Sequence, residues 1–215
     1  MDAAGEFTAS LWHLVEDIYK EIIDHPFVRQ LAEGTLPLHS FAHYLSQDIL
    51  YLRDDSLAFE KLAEKAPSIY EYDFFKKLAS DGIAFEQDLQ NYFLDFFKVD
   101  KAKTKSPVIY TYTSFLFNHV RESSYSVAAA ALLPCFWIYN KMGNLLLAQS
   151  ANNNVYQKWI DTYESAEYEA YTRSFIKIVE DLSINLSYDQ KALMKQAFIE
   201  ATKLELAFFE ESYLK

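Results

Sequence analysis

Cysteine occurs once in this chain, at Cys135, so no disulfide can brace it from within and packing must hold it together. Glycine is scarce, with four residues in 215, and proline hardly commoner, with five. Tight strand connections draw heavily on these two residues, so a fold of many short strands is excluded. Basic residues are outnumbered as well: 20 Lys and Arg stand against 31 Asp and Glu, a formal net charge of -11. No Lys/Arg cluster interrupts that acidity, which argues against nucleic acid or an anionic lipid surface as partner. Long apolar runs are missing too. The uncharged stretch 123–140 begins with Ser123, Ser124 and Ser126 and contains Pro134, and its apolar part, 127–139, falls short of the roughly 20 residues that a membrane span needs. No basic region followed by an apolar core opens the chain, so no export signal is visible and a soluble, cytoplasmic protein is expected. Residues 1–6 read as a disordered leader or cloning remnant, and 7–215 as one domain.

What remains is helix-forming. Alanine, leucine, glutamate and lysine are abundant, and apolar residues recur at spacings of three and four along most of the chain. Leu11, Leu14, Val15, Ile18 and Ile22 predict an amphipathic helix over 7–24, with Thr8 or Ser10 as cap. Pro26 then opens a short helix over 27–32, closed by Gly34. Further helices are expected over 37–65, 69–97 with Ser68 as cap, 108–121 and 126–148. After the polar turn Asn152-Asn153-Asn154 come a short helix over 155–163 and two more, over 165–181 and 188–213, the last capped by Ser187. No repeat or low-complexity linker divides the chain, so the fold class is all-α, a single helical bundle.

The stretch Leu132-Leu133-Pro134-Cys135-Phe136-Trp137-Ile138-Tyr139 places the one thiol directly after a proline. Proline in a helix removes one backbone hydrogen bond and crowds the preceding turn, so a kink is expected near Cys135. Tyr139, four residues on, shares the face of Cys135, while Phe136 and Ile138 are expected in the core behind it. A lone cysteine in an apolar run is, on composition alone, more often a small core residue than a nucleophile. None of the five histidines falls in a cysteine-protease signature. Asp48 interrupts the apolar stripe of the third helix, three residues before Tyr51, and Glu205 interrupts the last helix in the same way. A carboxylate among apolar groups is pushed toward a neutral-range pKa and can serve as acid and base, although structural ion pairs leave the same pattern. Asp54-Asp55 and Glu210-Glu211 read as solvated faces. No Glu-x-x-His pair, phosphate loop or dinucleotide fingerprint occurs, so neither metal nor cofactor is expected.

Seven ordered stretches resemble the TenA or thiaminase II family. They are His25-Pro26-Phe27-Val28; Gly34-Thr35-Leu36-Pro37; Gln47-Asp48 with Tyr51-Leu52; Tyr112-Thr113-Ser114; Ala131-Leu132-Leu133-Pro134-Cys135 with Trp137 and Tyr139; Tyr156-Gln157-Lys158-Trp159-Ile160 with Thr162-Tyr163; and Glu205 with Phe208. The resemblance implies a haem-oxygenase-like bundle without haem, assembled as a homotetramer. It implies Cys135 as nucleophile, Glu205 as acid and base, and Asp48, Tyr51, Tyr112, Tyr139, Tyr163 and Phe208 as pyrimidine-binding residues. The implied reaction converts 4-amino-5-aminomethyl-2-methylpyrimidine to the hydroxymethyl pyrimidine and ammonia in thiamine salvage, with thiamine as a possible second substrate. A non-catalytic protein binding a thiamine-related pyrimidine, and a helical interaction protein with an incidental cysteine, are the competing readings. Gln90, where many members have histidine, and Phe209, where tryptophan is common, depart from the family pattern.

Overall fold

The computed structural model describes residues 2–89, 92, 94–98 and 101–215; Gln90 and Phe93, both within the fourth expected helix, lie outside them. Among the described residues there are helices and no strands. They run in the order α1 (Glu6–Asp24), α2 (Pro26–Glu33), α3 (Leu38–Ala63), α4 (Ile69–Leu89), α5 (Asp95–Phe97), α6 (Pro107–Glu122), α7 (Tyr125–Gln149), α8 (Gln157–Glu164), α9 (Ala166–Ser183) and α10 (Tyr188–Tyr213). The expected all-α bundle is what forms, and most boundaries fall within two residues of those read from the periodicity. No helix of the described residues is long and apolar enough to cross a membrane.

The ends are set by local chemistry. Ser106, Ser165 and Ser187 each accept a hydrogen bond from the backbone N–H three residues on, capping α6, α9 and α10. α1 starts earlier than Thr8: Gly5 is its cap, and Thr8 Oγ1 reaches back to accept from Gly5 N at 3.2 Å. Glu180 of α9 receives Phe7 N and Thr8 N, so a carboxylate from elsewhere in the chain sits on the positive end of α1. The polar turn after α7 has a tertiary task as well. Asn154 Nδ2 donates to the carbonyls of Leu31 and Ala32 at 2.8 and 3.0 Å, satisfying the end of α2 where Gly34 turns left-handed at φ 71°.

α7 is the central helix. Ala128 to Ala131 are fully buried, and their small side chains let neighbours approach its first half closely. α10, α9 and α8 pack on it, while α3 packs against α4 and α6. Helix α7 continues without a break through Pro134. Gly143 decides how α8 docks: a Cβ there would stand 2.8 Å from Tyr163 Cβ and 3.0 Å from the Tyr163 carbonyl carbon, inside contact distance of backbone. This close approach brings Tyr163 over the same region of α7 that carries Tyr139.

Candidate active site

A cavity of about 370 Å³ opens between α3, α4 and α6 to α10. All eight site residues expected from the sequence line it: Cys135, Glu205, Asp48, Tyr51, Tyr112, Tyr139, Tyr163 and Phe208. Seven of them come from five helices through simple spacing: Asp48 and Tyr51 share a face of α3, Cys135 and Tyr139 a face of α7, and Tyr112, Tyr163 and Glu205 come from α6, α8 and α10. Phe208 follows Glu205 at i+3 on α10 and stacks on Tyr44, ring centroids 4.8 Å apart and planes 23° from parallel.

Glu205 is the polar hub. Only 2% of it is exposed, and Tyr112 donates a 2.6 Å hydrogen bond to its Oε1. Burial pushes its pKa up to about 7, with hydrogen bonds from Tyr112, Cys135 and Tyr139 holding it from rising further. The thiol is only partly buried and faces the cavity. Its pKa is pushed well up by loss of solvation first, then by the charges of Glu205 and Asp55, with Tyr51 pulling the other way. The resting pair is therefore a protonated thiol beside a carboxyl that titrates near neutrality. Such a carboxylate can take the thiol proton, the role that histidine fills in cysteine proteases; no histidine lines this cavity.

The walls are aromatic. Tyr51 and Tyr112 meet at 4.8 Å between centroids and Tyr139 and Tyr163 at 4.9 Å. Tyr139 OH lies 3.0 Å from Tyr44 OH. Asp48 is 4% exposed, and its charge raises the pKa values of Tyr44, Tyr139 and Tyr163, each already raised by burial. This end of the cavity thus offers neutral phenols and a carboxylate to a flat polar ring.

Three sequence expectations are corrected. Asp55 is not on a solvated face: it is 6% exposed and lines the cavity, because it stands seven residues after Asp48 on the inward stripe of α3. The i+7 spacing was the available signal, hidden by the neighbouring Asp54, which is itself partly buried in an ion pair with Lys105. Phe136 is a wall residue rather than core backing; it stacks on Tyr168, centroids 5.3 Å apart and planes 6° from parallel. Glu211 is also largely buried, 3.9 Å from His43 Nε2, while Glu210 is exposed. Tyr168 and Tyr171 of α9, not singled out in the sequence, complete the wall. Phe209 lies outside the cavity, fully buried behind Tyr44 and Tyr139 at 6.0 and 5.9 Å, so its departure from tryptophan acts on the support of the wall.

The family model described as TENA/THI-4/PQQC matches residues 12–215. The chain belongs to the TENA/THI-4/PQQC family. Among curated members, the thiamine biosynthesis multifunctional protein ThiED of Corynebacterium efficiens is 33% identical over 97% of this chain. The chain spans only 28% of that protein, and 27% of its Corynebacterium glutamicum counterpart. A shorter member, the aminopyrimidine aminohydrolase of Bacillus subtilis, is 30% identical over 89% of this chain and 83% of its own. Among solved members, a TenA homologue from P. horikoshii OT3 is 28% identical with a TM-score of 0.87, covering 98% of this chain and 99% of that one. A second TenA homologue, from Pyrococcus furiosus, has a TM-score of 0.91 at 19% identity, a likeness of fold. The resemblance read from the seven stretches and the family-model match over residues 12–215 agree.

Proposed function

We propose that this chain is an aminopyrimidine aminohydrolase of the thiaminase II type, a hydrolase acting on a C–N bond in thiamine salvage. Its substrate in this reading is 4-amino-5-aminomethyl-2-methylpyrimidine, and its products are the hydroxymethyl pyrimidine and ammonia. Relatives named aminopyrimidine aminohydrolase, from Bacillus subtilis, Halalkalibacterium halodurans and Helicobacter pylori, are 30%, 27% and 25% identical over 89% or more of this chain. The observation that carries the reading is the pairing of Cys135 with the buried Glu205, a thiol beside a carboxyl of pKa about 7, within an aromatic cavity sized for a small ring.

The chemistry follows from the pair. Glu205 takes the proton of Cys135, and the thiolate adds to ring carbon C6. The electron pair pushed into the ring expels the group on the C5 methylene, and Glu205 hands its proton to the departing amine. Water then adds to the methylene carbon, deprotonated by Glu205, and the C6–S bond breaks to restore the aromatic ring and the thiol. One carboxyl performs both transfers because its pKa lies near working pH. Asp48 accepts hydrogen bonds from the aminopyrimidine and polarises the ring for attack, while Tyr51, Tyr112, Tyr139, Tyr163 and Phe208 surround it. A homotetramer is part of the same proposal, testable by light scattering.

Ammonia release from the aminomethyl pyrimidine, compared with thiazole release from thiamine, tests the reading directly. Turnover of the first is expected. Tight binding of the pyrimidine with no turnover of either compound would instead make the protein a pyrimidine-binding member without hydrolase activity.

A further inference from the structure

The cavity is lined by five acids, Asp48, Asp55, Asp81, Glu167 and Glu205, and by no lysine, arginine or histidine. Three of them, Asp48, Asp55 and Glu205, are at least nine-tenths buried. Mechanism gives work to Asp48 and Glu205; Asp55 has none. Its Oδ1 is enclosed and meets no hydrogen-bond partner. A buried carboxylate oxygen left without a donor is destabilising, and that calls for a ligand that brings one.

Position says which part of a ligand that is. Asp48, Tyr51 and Asp55 stand at i, i+3 and i+7 on one face of α3, and at 1.5 Å rise per residue Asp55 lies about 10 Å along the axis from Asp48. The charge of Asp48 acts on the phenols of Tyr44, Tyr139 and Tyr163 and more weakly than Asp55 on Cys135, whereas Asp55 acts on Tyr51 and Cys135 and feels the charge of Glu205 more than that of Asp48. A ring held by Asp48 and attacked by Cys135 therefore directs its reacting substituent toward Asp55.

We propose that Asp55 is a specificity-determining residue that accepts N–H hydrogen bonds from the C5 aminomethyl group, selecting amine leaving groups over those without an N–H. This rests on the hydrolase reading above. With its N–H bonds engaged by Asp55, the amine turns its lone pair to Glu205. When Glu205 delivers the proton taken from Cys135, the positive charge on nitrogen grows against the Asp55 carboxylate; the C–N bond then breaks, its electron pair staying with nitrogen as ammonia departs. A hydrogen bond of this charge-assisted kind is stronger than a neutral one, and it forms where water is excluded. Burial and the charges of Glu205 and Asp48 favour the protonated form of Asp55 in the free protein, so its carboxyl gives up that proton to solvent as it takes the N–H bonds of the amine, and its charge is balanced when Glu205 protonates the nitrogen.

The test uses Asp55→Asn, nearly the same size, with two readouts. Calorimetry compares binding of the aminomethyl pyrimidine with 4-amino-2,5-dimethylpyrimidine, which has no donor on that substituent. The wild type is expected to prefer the amine by about tenfold or more, and Asp55→Asn to erase the preference. Turnover of the aminomethyl pyrimidine is expected to fall about tenfold or more in the variant, with thiamine, whose thiazolium nitrogen has no N–H, changed by less than about threefold. An equal fall for both substrates, or an unchanged binding preference, overturns the proposal while leaving the hydrolase reading intact. Failure of the wild type to bind either pyrimidine overturns both.

Discussion

Tyr112 of α6 donates a 2.6 Å hydrogen bond to Glu205 of α10, and both are at most 2% exposed. The two residues are 93 positions apart, and their contact joins the acid-base group to the aromatic wall. Because that bond favours the ionised carboxylate, Tyr112 keeps the Glu205 pKa near 7 against the upward push of burial.

Removing the phenol oxygen should therefore move the pH profile. Tyr112→Phe is expected to raise the Glu205 pKa by about one unit, and with it the acid limb of kcat/KM, since Glu205 must be ionised to take the thiol proton. An acid limb that stays in place while activity falls at all pH values would assign Tyr112 to substrate contact alone.

Cys135→Ser should abolish ammonia release from the aminopyrimidine and leave the helical far-UV circular dichroism unchanged. Serine is close in size to cysteine, and its hydroxyl is a much weaker nucleophile at this pH. Full activity in the variant would sink the covalent route.

Glu205→Gln keeps an acceptor for Tyr112 but cannot carry a proton. Turnover should fall by about a hundredfold or more, with pyrimidine affinity by calorimetry within a few-fold of wild type. Stability adds a second readout. The folded pKa of Glu205 is raised from 4.5 to about 7, so between those values the native state holds a proton that the unfolded chain has lost. Stability from this group is therefore full below pH 4.5 and declines as pH rises to about 7. In urea titrations the variant should gain about 2 kcal/mol relative to wild type between pH 5.5 and 8.5, each pKa unit being about 1.4 kcal/mol. A stability difference independent of pH would contradict the raised pKa.

Gly143→Ala should act at a distance from the chemistry. The added methyl meets the backbone of Tyr163, which cannot rotate away, so α8 must move. A loss of about 1–3 kcal/mol in stability is expected, with a rise in KM because Tyr163 leaves its place in the wall. Unchanged melting temperature and KM together would show that α8 docks by other contacts.

Much of this was legible before any coordinates. Helix ends followed from Ser187, Pro26 and Gly34, whose effects are local in the backbone, and the eight candidate site residues were found through ordered motifs. Asp55 was not, because an Asp-Asp pair on a helix reads as surface unless the neighbouring helices are known. Phe136 was misplaced for a related reason: in a helix covered nearly all round, as α7 is, periodicity no longer separates core from cavity.

By itself the sequence determined the helical class, the place of most helix ends, and which side chains on each helix point the same way, since propensity, capping and a 3.6-residue period act within a few residues. Only the tertiary structure decided that Cys135, Glu205 and Asp55 line one cavity. Burial by surrounding helices moves the pKa values of all three, and that shift depends on what excludes water from them. The acid-base character of Glu205 is thus a property of the packed bundle, and no window of the sequence contains it.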